Sequence, residues 1–485
     1  MNERRKAWLH QLDASGRYPS WVLFAVLAGM FATSFPFTIL AVSLAPIAEE
    51  FGSRETTLAW VVTAPMLLSA VSFPLVGKLG DLYGHRRVFL WGFAGATVVA
   101  ALTALAWDAF SLIALRTLAA VLGGATQPTS MALLFAANPE GGRVRAMGWW
   151  SMVGAGAPAL GLVLGGPLVD WLGWRFVFLL QAGMSAAALA IAFAVLRETR
   201  PLRARFDLLG ALSLAVGVGG FMVALGGVRE LGLASPWIPT AALVGAIGLV
   251  AFVRIEDRVR DPLLPLALLR DRSFSATLAT NAFNSAAYMG AFVIAPLLLY
   301  QSFDFSITQA SLLMVLRTAS LTLASPVGGA FGERFGERSA SVLGGAVMTV
   351  ALLGIAWGAW ESNLLLFGVG LVGQGAGHGL SQPSITSAVA RSVDESQLGV
   401  ASAANRLAGQ GGASFGIAAL AIVYGGVAEP EVFARAFSLG AALAGASTLT
   451  ALWIGVSRRP VLPSPHFASF GRRSGVAEIL ESSEP

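Results

Sequence analysis

"PLVGKLGDLYGHR" (Pro74–Arg86) and "PVGGAFGERFGER" (Pro326–Arg338) lie 252 residues apart and match in step. Pro74 aligns with Pro326, Gly77 with Gly329, Asp81 with Glu333, Gly84 with Gly336 and Arg86 with Arg338. Each copy is a short polar link between two long apolar runs. A second pair fixes the register: "GATQP" (Gly124–Pro128) precedes "GLSQP" (Gly379–Pro383) by 255 residues. That alignment continues without a gap through Glu140/Glu395, Ala146/Ala401, Gly154/Gly409, Gly156/Gly411 and Gly161/Gly416. Two blocks at nearly one offset mark an internal duplication.

Composition says what is duplicated. Of 485 residues, 55% are hydrophobic and 12% charged, half the charged share of an ordinary soluble domain, about 25%. The 56 glycines suit bundled membrane helices, whose backbones approach closely over small residues. Crossing about 30 Å of hydrocarbon takes roughly 20 apolar residues. Fourteen such runs are predicted, near 21–46, 57–78, 88–107, 109–137, 147–169, 177–196, 207–228, 238–254, 274–300, 309–331, 340–359, 364–389, 400–424 and 433–456. Six spans fill about 180 residues, so the offset of 252 leaves room for two more, the runs at 207–228 and 238–254. An even insert keeps both copies the same way up. The expected fold is all-α and polytopic, with two parallel six-helix repeats plus two inserted helices. Their two-fold axis runs along the membrane normal, with a substrate site at the half-to-half interface.

The expected organisation follows. Residues 1–20 form an N-terminal segment, 21–200 a first six-helix bundle and 201–273 the inserted helices with their linkers. Residues 274–457 form a second bundle, and 458–485 a polar, proline-containing tail expected to be disordered. Of the 32 Lys and Arg, 25 fall in one alternate set of links and ends, four in the other and three at membrane depth. This bias predicts cytoplasmic termini and a multi-pass protein of the inner (plasma) membrane. The first run, from Trp21, is too long for a cleaved signal peptide and no small-residue cleavage site follows it.

Several function classes drop out. With no Cys there is no thiol chemistry and no Cys-based metal site, and four scattered His give no metal cluster. The net charge of +5 resides in interhelical links, so it reads as a topology signal and not as a nucleic-acid surface. No phosphate-binding Gly-Lys-Ser/Thr loop points to ATP. A membrane enzyme would want a Ser/His or paired-acid constellation, and a sensor an appended soluble domain; neither is legible. No cofactor is expected.

The opening stretch resembles the loop between helices 2 and 3 of the major facilitator superfamily: Gly, three residues, Asp, two residues, Gly, then a basic pair. Here these are Gly77, Asp81, Gly84, Arg86 and Arg87. With fourteen spans, the chain resembles the superfamily's drug:proton antiporter branch over about residues 20–457. The resemblance implies a secondary transporter that exports hydrophobic or amphipathic compounds by rocker-switch alternating access, with proton coupling and a monomeric state. It also implies that this cluster latches the halves together on the inner side, with Glu333, Arg334 and Arg338 as a partial counterpart. Asp81 is suited to face a helix N-terminus of the opposing half, where the dipole favours negative charge. "GAGAPALGLVLGGPLVDWLGWRFVF" (Gly154–Phe178) resembles the antiporter motif through Gly154, Gly156, Pro158, Gly161, Gly165 and Gly166, although Ala157 stands where Gly is usual. The alternative is a small-residue packing stripe.

Charge at membrane depth supplies the remaining candidates. Arg116, Arg317 and Arg406 fall inside predicted spans, where an unpaired Arg costs at least about 2.5–3.5 kcal/mol and so faces the bundle interior. Arg116 either tunes a proton acceptor, holds an anionic group or bonds backbone carbonyls of broken helices. The first span carries Pro36 where related exporters carry Asp, and no Asp or Glu lies mid-span. Proton coupling through the usual carboxylate is therefore in question. His378, in "VGQGAGHGLSQP", is the best remaining titratable group; its alternative is a neutral interior His. Amides at Gln127, Asn281, Asn284, Gln382 and Asn405 are expected to line the cavity. Met66, Trp149, Trp150, Phe283, Tyr288 and Met314 offer polarizable surface. A second reading is a transporter of lipid or lipid-like solutes, or an uncoupled facilitator. Expected partners are a small amphipathic substrate, protons and membrane lipids.

Overall fold

The computed structural model describes residues 3–42, 47, 49–53, 60–138, 142–199, 207–231, 235–259, 262, 264, 266–303, 305, 307–394, 397–425, 427 and 429–455. Seventeen helices are found among them. The first half carries α1 (Glu3–Ala14), α2 (Tyr18–Val42), α3 (Trp60–Tyr83), α4 (His85–Thr103), α5 (Ala109–Gly124), α6 (Thr126–Ala137), α7 (Arg143–Leu172) and α8 (Trp174–Val195). Next come α9 (Leu208–Leu231), α10 (Trp237–Glu256) and the one-turn α11 (Leu266–Arg270). The second half is α12 (Arg272–Ser302), α13 (Ile307–Phe335), α14 (Glu337–Trp360), α15 (Leu364–Arg391), α16 (Leu398–Tyr424) and α17 (Pro430–Ala451). No strand occurs among the described residues.

Among the described residues every predicted apolar run contains a helix, and eleven helical stretches are long and apolar enough to cross a bilayer. The run at 109–137 is interrupted at Ala125 between α5 and α6. Pro128 cannot donate to the Gly124 carbonyl one turn back, which loosens the ladder there. Hydroxyls tighten the break: Thr126 Oγ1 donates to Gly123 O (2.6 Å) and Thr129 Oγ1 to Ala125 O (2.5 Å). The N-terminal segment contains α1, which docks on the end of α8 through Arg5 Nε to Ala194 O (2.8 Å) and Nη2 to Leu196 O (2.6 Å). These guanidinium bonds satisfy carbonyls a helix C-terminus leaves unpaired. The tail at 458–485 lies outside the described residues.

Sequence caps explain where helices start. Asp108 and Ser111 form a reciprocal capping box on α5, Asp271 accepts from Phe274 N–H on α12 (2.8 Å), and Asn363 from Leu366 N–H on α15 (3.1 Å). The two motif copies break their helices identically: Gly84 has φ +96° and Gly336 φ +90°, a region that favours glycine.

Each half has its own apolar centre. One gathers Val26, Met30, Phe89, Phe93, Phe135 and Ala192, the other Ile294, Leu298, Met348, Phe367, Phe433 and Phe437. The halves meet where α7 packs on α13 and α15, and where α16 packs on α3 and α6. The inserted α9 and α10 pack on each other, and α9 leans on both α3 and α16, beside the seam. A cavity of about 210 Å³ remains there, lined only by apolar side chains including Leu214, Leu264, Leu278 and Leu407.

Candidate functional site

One end of the bundle is closed by the motif. Asp81, 4% exposed, accepts hydrogen bonds across the seam from Gly399 N–H to Oδ1 (3.0 Å) and Val400 N–H to Oδ2 (3.1 Å). These N–H groups open α16, where unpaired donors and the helix dipole favour an anion. His85 Nε2 lies 3.1 Å from Asp81 Oδ1 and holds it from its own side. The backbones touch beside it: a Cβ on Gly77 would lie 2.5 Å from Gly399 O and 2.8 Å from Ala403 Cβ. The second copy contacts the first half at the matching place. Glu333 Oε2 pairs with Arg145 Nε at 3.0 Å, and a Cβ on Gly329 would lie 2.9 Å from Val144 O.

Arg86, Arg87 and Arg334 make their contacts within their own half. Arg87 Nε pairs with Glu198 Oε2 (3.4 Å), while Arg86 donates its backbone N–H to Glu198 Oε1 (3.1 Å) and Nη2 to Phe193 O (3.1 Å). Arg334 lies over the Phe335 ring. Lys78 Nζ donates to Pro262 O (2.7 Å), tying the motif to the link after α10.

At mid-depth the halves are bridged by Arg406 of α16, whose Nη2 donates to Gln127 Oε1 of α6 (2.9 Å). Its guanidinium carbon lies 5.3 Å from the centre of the Trp150 ring, and Trp150 Nε1 donates to Ser130 Oγ (3.3 Å). Beside it, Asn281 Nδ2 donates to Asn405 O and Oδ1 (both 2.8 Å), and Gln382 Nε2 donates to Asn281 Oδ1 (3.0 Å). Asn284 is fully buried and donates to Ser381 Oγ (2.9 Å). Met314 and Tyr288 belong to the core of the second half, with Phe283 packed against it. Trp149 is 40% exposed on α7. The side chains of Pro36 and Met66 lie outside the described residues.

Arg317 is 1% exposed. Its Nε donates to Gln374 Oε1 (3.0 Å) and Nη2 to Tyr288 O (2.6 Å). Its guanidinium carbon sits 3.5 Å from the Tyr288 ring centre, and His378 stacks on that ring at 4.0 Å and 14°. Both cannot share one face, so Tyr288 is sandwiched between cation and imidazole. His378 Nδ1 is buried without a hydrogen-bond partner. Arg116 is 6% exposed, lies 5.6 Å from the Phe178 ring centre, and leaves its Nε without a partner. Buried acids among the described residues are Asp81, Asp207, Glu256 and Glu337, all within three residues of a helix end.

The glycines of α7 face two ways. A Cβ on Gly154 would meet Met30 Cε of α2 at 2.6 Å, one on Gly156 would meet Thr322 Cγ2 of α13 at 3.1 Å, and Gly148 abuts the backbone of Ser325 and Pro326. Pro158 and Gly161 lie on the same helix; the surroundings of Gly165 and Gly166 lie outside the described residues.

A family model described as Major Facilitator Superfamily matches residues 26–269 and 277–480. The chain belongs to the Major Facilitator Superfamily. It is a multi-pass membrane transporter, not an enzyme. The Tetracenomycin C resistance and export protein of Streptomyces glaucescens is 28% identical over 411 residues, 83% of this chain and 75% of that protein. Multidrug resistance protein Stp of Mycobacterium tuberculosis is 30% identical over 383 residues, 78% and 71% of the two. Among solved structures, the human organic anion transporter MFSD10 superposes with a TM-score of 0.65 at 18% identity, covering 90% of this chain and 99% of its own. That likeness shows the superfamily fold.

The motif's partners across the seam, Arg145, Gly399 and Val400, were not picked out from the sequence. The 255-residue register held the signal, since it aligns Val144 with Gly399 and Arg145 with Val400. Gln374, the tie of Arg317, and Glu337, which accepts from Ser387 Oγ (2.6 Å) and Arg391 Nη1 (3.1 Å), carried no such signal.

Proposed function

We propose that this superfamily member is a secondary exporter of hydrophobic or amphipathic compounds, working by rocker-switch alternating access. The carrying observation is the closed motif end: Asp81 on the N-terminus of α16 and Glu333 on Arg145 join the halves at matching points. The Lys and Arg bias assigns this end to the cytoplasmic side, so in this reading the cytoplasmic end is the closed one. In this reading residues 21–200 and 274–457 move as two bodies, with α9 riding on the seam and all fourteen spans crossing the membrane. The glycine faces of α7 let the bodies tilt against α13. The names of two relatives, one for export and one for multidrug resistance, support outward drug movement. Expression in a drug-sensitive host tests it: resistance should rise and dye accumulation fall, and unchanged accumulation of every compound tried overturns the reading.

Coupling to protons rests on His378, the described imidazole at membrane depth, held against Tyr288 with its Nδ1 open. A second reading, uncoupled or lipid-like transport, draws on the helix-end position of the buried acids and on similarity to the Fatty acid resistance protein FarB of Neisseria gonorrhoeae (29% over 66% of this chain and 64% of that protein). Proteoliposomes with and without a pH gradient separate the two. Coupled transport follows the gradient and loses that response in His378→Ala; uncoupled transport ignores the gradient.

A further inference from the structure

We propose that Arg406, with Gln127 and Trp150, is a headgroup site for an anionic amphiphile, and that loading it releases a bond between the two halves. The inference rests on the export reading and names its substrate class.

A guanidinium keeps its charge at any accessible pH and carries five donors. Three lie at membrane depth here, and none has a carboxylate partner among the described ion pairs. Their surroundings differ. Arg317 is enclosed in one half and bonded to Gln374 and the Tyr288 carbonyl. Arg116 is enclosed in the other half against Phe178. Arg406 is only partly buried and stands at the seam. It has one hydrogen bond, to a neutral amide of the opposing half, and its buried Nε has no partner. The amides beside it, Asn281, Asn405 and Gln382, bond one another and bring no negative charge.

A guanidinium with a buried, unpartnered Nε and only a neutral partner is poorly compensated. A carboxylate or sulfonate on a substrate supplies what Gln127 does not, a charge-assisted and potentially bidentate bond. Trp150, buried in the core of the first half and fixed through Ser130, holds its ring beside the guanidinium, and the substrate's apolar body lies along the seam. The acid that takes Arg406 displaces Gln127 Oε1, so the α16–α6 bridge is exchanged for a bond to the substrate. Loading then bears on the relative position of the halves without any titration of Arg406.

The test uses purified full-length protein and three probes with one alkyl chain: a carboxylate, its methyl ester and the trimethylammonium analogue. Equilibrium binding and liposome transport are measured for wild type, Arg406→Gln, Arg406→Lys and Gln127→Glu. Wild type should prefer the carboxylate over the cation, and Arg406→Gln should weaken carboxylate binding about tenfold or more with ester binding unchanged. Arg406→Lys should keep part of the preference, which guards against simple misfolding. Gln127→Glu should act like Arg406→Gln, because it sets a resident carboxylate on the cation. Equal losses for all three probes in Arg406→Gln, or a wild-type preference for the cation, overturn the anion site while leaving export standing. Failure of wild type to move any probe or drug overturns both.

Discussion

Asp81 and Glu333 occupy matching positions in the duplicated motif, yet they hold the opposing half by different atoms. Asp81 is short, buried and braced by His85, and it accepts from two backbone N–H groups at the start of α16. Glu333 is one methylene longer and meets the Arg145 side chain, which is 63% exposed. Because Val400 and Arg145 align at the 255-residue offset, these are one contact seen twice about the pseudo-two-fold axis. The two contacts therefore share the hold between the halves unequally. A desolvated hydrogen bond to a charged group contributes about 1.5–3 kcal/mol, whereas a solvent-exposed ion pair contributes about 0–1 kcal/mol. The Asp81 side carries the closure and the Glu333 side trims it.

The largest effect should come from the backbone contact beneath Asp81. In Gly77→Val the new side chain meets Gly399 O, an atom that cannot rotate aside, so the motif end cannot close and transport should fall by well over about tenfold. Transport assays on protein of verified yield read this; near-normal rates would show that the two helices part freely. Next, Asp81→Asn removes the charge that the α16 N-terminus attracts and should cost about tenfold in transport. Maleimide labelling of an Ala403→Cys reporter, in a chain with no other Cys, should speed up in that variant. Glu333→Gln should change transport by less than about threefold, and a loss as large as that of Asp81→Asn would erase the proposed asymmetry.

The smallest effect belongs to the opposite end. There Glu50 accepts from Trp174 Nε1 (2.7 Å) and pairs with Arg175. Burial alone would raise the Glu50 carboxyl, but the hydrogen bonds from Trp174 and Arg175 and the Arg175 charge outweigh it and hold it below the ordinary value. A lowered carboxylate stabilises the fold above its ordinary pKa, and that contribution fades as pH falls through the lowered one. The pair is solvent-exposed, so Glu50→Gln should cost below about 1 kcal/mol in thermal stability near neutral pH and nothing at strongly acid pH.

Much of this is legible in the sequence. The twin motif and the two offsets fix the repeat, and Asp81 reads as a ligand for a helix N-terminus because an acid in a helix-breaking glycine link has few other partners. Facing was less legible. Asn284, Tyr288 and Met314 resemble cavity residues in sequence, yet they are buried within the second half. In a bilayer the lipid-facing surface is as apolar as the core, so periodicity does not separate inward from outward. The interruption at Ala125 was equally silent: a Pro four residues after Gly124 is tolerated in membrane helices, and hydroxyls that mend the ladder sit within the same turn. Contacts across the seam, such as Arg145 with Glu333, depend on how two bodies meet and leave no local pattern.

Alternating access requires that one end of the molecule opens as the other closes. Spin labels at Tyr83 and Phe335 on the motif end, and at Trp171 and Leu312 on the opposite end, occupy exposed positions in a chain free of native cysteine. Introducing Asp81→Asn should lengthen the first distance and shorten the second. Distances that change in the same direction, or a motif end that stays closed while transport proceeds, would contradict the rocking mechanism.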